Sequence, residues 1–113
     1  MSHFVEIKTE LRDMQALRAA CAKLNIQVVQ TKQVIGYGEA KETVEFALHF
    51  PGQTYRAGVR QGKLVYDPYF LPEREVHRFL DQYNAQVIRR TYPRAEIHEE
   101  EIQGGGLKLY VRV

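Results

Sequence analysis

The feature that most constrains the fold is a run of five short strand-like segments between two helix-like stretches. The five segments are residues 26–30, 34–37, 43–50, 54–60 and 64–67. Turn-compatible pieces such as Pro51-Gly52 and Gln61-Gly62 separate them. Connections this short make neighbouring strands antiparallel, because parallel strands need a crossover of a dozen or more residues. The centre of the chain is therefore predicted to be an antiparallel meander.

The longest of these segments, 43–50, alternates strictly in polarity. Its apolar residues are Val44, Phe46, Leu48 and Phe50, and between them stand Thr43, Glu45, Ala47 and His49. Because successive side chains of a strand point to opposite faces, this pattern predicts one buried face and one solvated face.

Two stretches show the three- and four-residue spacing of amphipathic helices. The first follows Asp13, a good helix cap, and its apolar positions are Met14, Leu17, Cys21 and Leu24. The second begins near Pro72 and ends at Tyr92-Pro93, with apolar positions Val76, Phe79, Leu80, Tyr83 and Val87. Strands at 3–8, 94–102 and 107–113 complete the predicted order, which is β-α-β-β-β-β-β-α-β-β.

This order predicts an α+β fold, mainly antiparallel sheet, with both helices on one face. The other sheet face would be polar or an interface. A chain of 113 residues with 44% hydrophobic and 27% charged residues can bury one core. No repeat or linker interrupts it, so a single domain spanning residues 1–113 is predicted.

Cysteine content and hydropathy suggest where the protein works. One cysteine cannot form an internal disulfide. No segment approaches the roughly 20 apolar residues that cross a bilayer, and the first ten residues lack the apolar run of a signal peptide. We expect a cytoplasmic protein with no membrane partner.

Residues of the types used in catalysis are scattered along the chain. The histidines, at positions 3, 49, 77 and 98, show none of the spacings of zinc sites. Cys21 falls on an apolar helix stripe, where a reactive thiolate is disfavoured. Asp67, Glu73 and His77 lie close in sequence, but nothing fixes their geometry. We expect no enzyme activity and no cofactor, and keep a small enzyme or metal protein centred on His3, His49 or His77 as an alternative.

The glycines of Gly36-Tyr37-Gly38, followed by Lys41, have a spacing faintly like that of a phosphate-binding loop. Such a loop leads into a helix whose amides face the phosphate, and here the next element is a predicted strand. A sharp turn is therefore the prediction for this segment.

An aromatic segment and a set of arginines are the candidate binding features. Segment 66–71 places Tyr66, Tyr69 and Phe70 beside a proline. These rings could pack beneath the second helix, or they could anchor a partner, since aromatic residues dominate interface hot spots. The arginines are Arg56, Arg60, Arg89, Arg90 and Arg94, and with the rings they could form a nucleic-acid surface. The adjacent glutamates, at positions 96, 99, 100 and 101, would offset that charge.

The chain also resembles a known family. The residues that carry the resemblance are the opening Met-Ser-His-Phe, Ile7-Lys8-Thr9, Leu11-Arg12-Asp13, Gly36-Tyr37-Gly38, residues 55–58, Leu64-Val65-Tyr66-Asp67 and the closing strand. They are similar to the hypothetical chloroplast reading frame thirty-five family (domain-of-unknown-function twelve fifty-seven) of algal plastids, cyanobacteria and other bacteria. The resemblance brings no reaction, cofactor or catalytic residue.

What the resemblance implies is a class of partner. Bacterial members of the family look like companions of AAA+ ATPases, which implies an accessory or adaptor role, located in the plastid stroma for the algal relatives. The Ser2-His3-Phe4 end is a family hallmark, which implies a packing or docking role for it.

We therefore predict a non-enzymatic accessory protein that binds a larger protein, with an AAA+ ATPase as the implied partner. The predicted contact residues are His3, Phe4, Tyr66, Tyr69, Phe70, Arg89 and Arg90. A small nucleic-acid-binding protein that uses the five arginines is the alternative. Pairing of the uncovered sheet face with a second copy, giving a homo-oligomer, also stays open.

Overall fold

The computed structural model describes residues 4–103 and 106–112. Its helices are α1 (Met14–Lys23) and α2 (Glu73–Thr91). Its strands are β1 (Val5–Glu10), β2 (Gln27–Val29), β3 (Gln33–Ile35), β4 (Lys41–Thr43), β5 (Phe46–His49), β6 (Ala57–Arg60), β7 (Lys63–Tyr66), β8 (Glu96–Glu101) and β9 (Leu107–Arg112). His3, Val113 and part of the predicted glycine turn at 103–106 lie outside the described residues.

The main sheet has five strands in the order β1-β7-β6-β5-β2, and every neighbouring pair is antiparallel. Both helices pack on one face of this sheet and form the larger core with it. That core includes Phe46 and Leu48 from β5, Val59 from β6 and Phe79 from α2. The predicted fold class is confirmed: the protein is α+β and mainly antiparallel sheet, with both helices on one face.

The ends of α1 follow from local sequence, and its buried face differs in part from the prediction. The carboxylate of Asp13 caps the helix by accepting a hydrogen bond from the N–H of Ala16 at 3.0 Å. Asn25 has a φ of 57° just beyond the helix, a conformation that asparagine tolerates. Met14, predicted to be on the buried stripe, is 37% exposed, because the smaller Ala16 and Ala20 face the core.

The segment 43–50 is not one strand, because the chain passes between two sheets within it. The N–H of Val44 donates to Lys32 beside the β3–β4 hairpin, whereas the N–H of Glu45 donates to Val59 of the main sheet. Val44 therefore lies in a smaller core with Val34 and Ala47, not with Phe46 and its neighbours. The predicted solvated face was wrong at Ala47, which the hairpin buries completely.

The β3–β4 hairpin covers the second face of the main sheet at Gly58. A β-carbon on Gly58 would lie 2.2 Å from Cγ1 of Val44, well inside any allowed contact distance. A glycine at this point of β6 therefore lets the hairpin approach the sheet closely.

Strands β8 and β9 form a separate two-stranded ribbon that docks against the helices. Its anchor is Glu99, whose carboxylate pairs with Lys23 of α1 and with Arg89 of α2, the latter at 3.0 Å. Burial disfavours ionisation of Glu99, yet the hydrogen bonds and charges of Lys23 and Arg89 outweigh it and hold the pKa of Glu99 below its ordinary value. Among the described residues, no helix is long and apolar enough to span a membrane.

Candidate functional site

Two turns meet at one end of the main sheet and bring four aromatic rings together. The first turn joins β3 to β4, where Gly38 and Glu39 adopt φ values of 67° and 61° and the N–H of Ala40 bonds to Tyr37. Two consecutive residues at positive φ are typical of the tight turns that close hairpins. The prediction of a turn for Gly36-Tyr37-Gly38 is confirmed.

The second turn follows β7 and is organised by Asp67. The Asp67 carboxylate is almost fully buried, with 4% of the residue exposed. Its Oδ1 accepts a hydrogen bond from the N–H of Tyr69 at 2.9 Å, the pattern of an aspartate turn. The Asp67 carbonyl also accepts hydrogen bonds from the N–H groups of Phe70 and Leu71.

Asp67 also binds the first turn, so one carboxylate fixes both. Its Oδ2 accepts a hydrogen bond from the N–H of Tyr37 at 2.7 Å. The approach is so close that a β-carbon on Gly36 would lie 2.8 Å from this oxygen and from the Phe4 ring. Phe4, the 36–38 turn and the 66–71 segment are therefore packed together at this end of the sheet.

We call the set of rings at this end of the sheet the aromatic surface; it consists of Tyr37, Tyr69 and Phe70 from the two turns and Tyr55 from the loop between β5 and β6. The Tyr55 and Phe70 rings stack with centroids 3.9 Å apart, and Phe70 meets Tyr69 edge to face at 5.0 Å. Tyr69 and Tyr37 lie 4.7 Å apart. Tyr69 is 70% exposed and Tyr37 45% exposed, whereas Tyr55 and Phe70 are half-buried. Packing beneath the second helix, one of the two predictions for this segment, is wrong for Tyr69.

Tyr66, Phe4 and His3 were also predicted as partner contacts. Tyr66 is 2% exposed, because it ends β7 opposite Val5 and points into the larger core. It does not belong to the surface. Phe4 is half-buried against the smaller core, and His3 lies outside the described residues.

The predicted arginine cluster is not assembled. Arg60 bonds to Glu42 and Glu6 on the hairpin side of the sheet, at 3.0 and 3.1 Å. Arg89 and Arg90 belong to α2, on the opposite side, where Arg90 bonds to Asp13 at 2.8 Å.

The two remaining arginines do not extend either group. Arg56 donates its Nε–H to His49, and Arg94 is exposed beyond the end of α2. Arginines divided between two faces, three of them paired with acids, do not make the continuous basic groove that nucleic acids need.

In the part of the chain that the structure describes, the candidate catalytic residues Asp67, Glu73 and His77 do not form one group. No group of three or more His, Cys, Asp or Glu residues there could hold a metal ion. Glu73 and His77 line a cavity of about 800 Å³ between α2 and the ribbon, together with Asp81 and Glu101, but Asp67 does not. Cys21 is buried, and burial raises its pKa to about 11, so its thiol is kept protonated.

The comparisons with known proteins bear on none of these residues: no family model, curated protein or solved structure matches the chain. Family membership therefore stays a prediction.

Tyr37 and Tyr55 were missed as site residues by the sequence analysis. A signal existed for Tyr37, because Gly36-Tyr37-Gly38 was predicted to be a turn, where a side chain is easily exposed. No local signal links Tyr55 to Phe70.

Proposed function

We propose that this protein is a non-enzymatic accessory or adaptor that binds a larger protein through the aromatic surface. The observation that carries the proposal is the 70% exposure of Tyr69 on a turn whose backbone is fixed by the buried Asp67. An exposed tyrosine offers apolar area, a hydroxyl and few rotatable bonds, which is why tyrosine is enriched at binding hot spots.

The fixed backbone supports binding because little order has to be gained when a partner docks. Tyr37 and Tyr69 take their positions from hydrogen bonds to the same carboxylate. Each ring also rests on a neighbouring ring of the aromatic surface. Association costs less when the contacting groups are already ordered.

An AAA+ ATPase is the partner class within this proposal, because the family resemblance implies it, and the cytoplasm is the proposed compartment. Nucleic acid is the less favoured candidate, since the arginines that it would use are distributed over two sides of the sheet. Three of the five, Arg60, Arg89 and Arg90, are engaged by acids.

The test is capture of the native partner by tagged protein, compared between Tyr69→Ala and Tyr92→Ala. Tyr92 is 49% exposed after the end of α2 and outside the aromatic surface, so it is a matched control. We expect the wild type to capture a partner protein in stoichiometric amount, and this partner should stay bound through nuclease treatment and a high-salt wash. Tyr69→Ala should lose the partner, and Tyr92→Ala should retain it. Truncating a hot-spot tyrosine costs at least about 2 kcal/mol, roughly thirtyfold in affinity. Equal capture by both variants would contradict the proposal.

A further inference from the structure

The charge beneath the aromatic surface indicates what kind of group it would bind. Asp67 is 4% exposed, and none of the ion pairs among the described residues includes it. A buried carboxylate is screened weakly by solvent, so its field extends into its surroundings.

The carboxylate lies next to the backbone of the residue with the most exposed ring. Oδ1 of Asp67 is 2.9 Å from the backbone nitrogen of Tyr69, whose ring projects into solvent. The face of an aromatic ring is itself the negative end of a quadrupole, and cations bind over it. The carboxylate and the ring face therefore favour the same sign of ligand.

Other charged residues flank the two turns. Glu39 is exposed at the tip of the first turn, two residues from Tyr37. The cations near the turns in sequence are Lys41 on β4, Arg56, which donates to His49, and Lys63 and Arg74, which pair with Glu6 and Glu75 at 3.8 and 3.9 Å. None of these four is bonded to Asp67 among the contacts of the described residues.

We propose that the aromatic surface binds an arginine side chain of the protein partner, with its guanidinium over the Tyr69 ring. Arginine fits better than lysine because a planar, weakly hydrated guanidinium stacks on aromatic faces. A phosphate or an acidic segment would be repelled by Asp67 and Glu39. This inference rests on the proposed function, because it names the chemistry of the partner at the same surface.

The experiment is an NMR titration of the isotope-labelled protein at low salt with two short capped peptides. One peptide is acetyl-Gly-Arg-Gly-amide; the other carries citrulline, which is nearly isosteric with arginine but neutral. We expect the arginine peptide to shift the Tyr69 and Phe70 resonances and to bind about two- to fivefold more tightly, as an exposed cation–π contact would. Added salt should reduce the difference.

Three variants make the titration specific. Tyr69→Ala should abolish the preference for arginine, and Tyr92→Ala should retain it. Glu39→Gln changes only an exposed side chain at the turn and should reduce the preference by about twofold, since a partly screened surface charge contributes little.

Equal binding of the two peptides would overturn this inference. So would the absence of any shift at Tyr69 and Phe70 with the arginine peptide, or shifts centred on the β8 glutamates. So would tighter binding of a single-stranded oligonucleotide to the same rings. Any of these results, together with loss of the native partner in Tyr69→Ala, would leave the proposed function standing. The two claims can therefore fail separately.

Discussion

A single hydrogen bond of 2.7 Å between Oδ2 of Asp67 and the N–H of Tyr37 joins two turns that are thirty residues apart in sequence. The other oxygen of the same carboxylate holds Tyr69 at 2.9 Å. Because both exposed tyrosines depend on one buried side chain, the position of each ring is coupled to that of the other.

Asp67→Ala should destabilise the protein by about 3 kcal/mol, because the part-buried N–H groups of Tyr37 and Tyr69 lose a charged acceptor. Asp81→Ala, a half-buried aspartate on α2, is the matched control and should change the free energy of unfolding by less than about 1 kcal/mol. Urea denaturation measures both, and hydrogen exchange should show faster exchange at the Tyr37 and Tyr69 amides. Equal losses in the two variants would mean that the carboxylate does not hold the turns.

Gly58→Ala should destabilise the protein by about 2 to 3 kcal/mol, because its methyl group would occupy the position of the Val44 side chain. The partner change Val44→Ala removes Cγ1, the atom in closest conflict, and leaves the Val44 β-carbon 2.9 Å from that methyl group. In a double-mutant cycle the two changes should therefore cost clearly less together than the sum of their separate costs. Strict additivity would contradict the close packing of hairpin on sheet.

The same contact shows why part of the fold was not predictable from the sequence. The helices and the face they cover follow from periodicity, which is local. The passage of the chain from one sheet to the other at Val44 cannot be predicted from the local pattern. Polar and apolar residues alternate unchanged from Val44 to Phe50, although these two residues lie in different cores. Only the hydrogen bond from Glu45 to Val59, between segments far apart in sequence, marks the change of sheet.

Glu99→Gln should remove a pH-dependent contribution to stability. The folded-state pKa of Glu99 is lowered from its ordinary 4.5, so the contribution is fully present above pH 4.5 and is lost as the pH falls through the folded-state pKa. We expect the wild type to be about 1 kcal/mol more stable than Glu99→Gln at pH 7, because the three side chains are partly exposed. The difference should approach zero once the pH has fallen below the folded-state pKa of Glu99.

Glu96→Gln is the control for this measurement, since its carboxylate is 81% exposed and 3.9 Å from Arg112. It should leave the free energy of unfolding nearly unchanged across the same pH range. A difference between the wild type and Glu99→Gln that persists below the folded-state pKa of Glu99 would show that Glu99 stabilises the ribbon by packing rather than by charge.

Cys21 should react with iodoacetamide at least about a hundredfold more slowly in the native protein than in urea at pH 8. Burial raises its pKa from 9.0 to about 11, so roughly one thiol in a thousand is ionised at pH 8 in the folded state, against about one in ten unfolded. Mass spectrometry of the alkylated protein measures both rates. Rates within tenfold of each other would mean that the thiol is accessible and not buried in the core.

The candidate site was predictable only in part, for the same physical reason as the fold. Tyr69 and Phe70 stand out because a turn does not require aromatic residues beside Asp67-Pro68. Tyr37 and Tyr55 join them only because tertiary packing brings three separate loops to one end of the sheet. The arginines do not form the predicted cluster, and their partners could not be predicted from local sequence. Arg60, for example, pairs with Glu42 on another strand.

The central claim is that the aromatic surface contacts a protein partner, and site-specific photo-cross-linking in the native host tests it most directly. A photoreactive phenylalanine analogue would replace Tyr69 in one protein and Tyr92, which is exposed outside the surface, in another. The account predicts a discrete protein adduct from position 69 and none from position 92. Adducts of equal yield from both positions, or an adduct from position 92 alone, would contradict it.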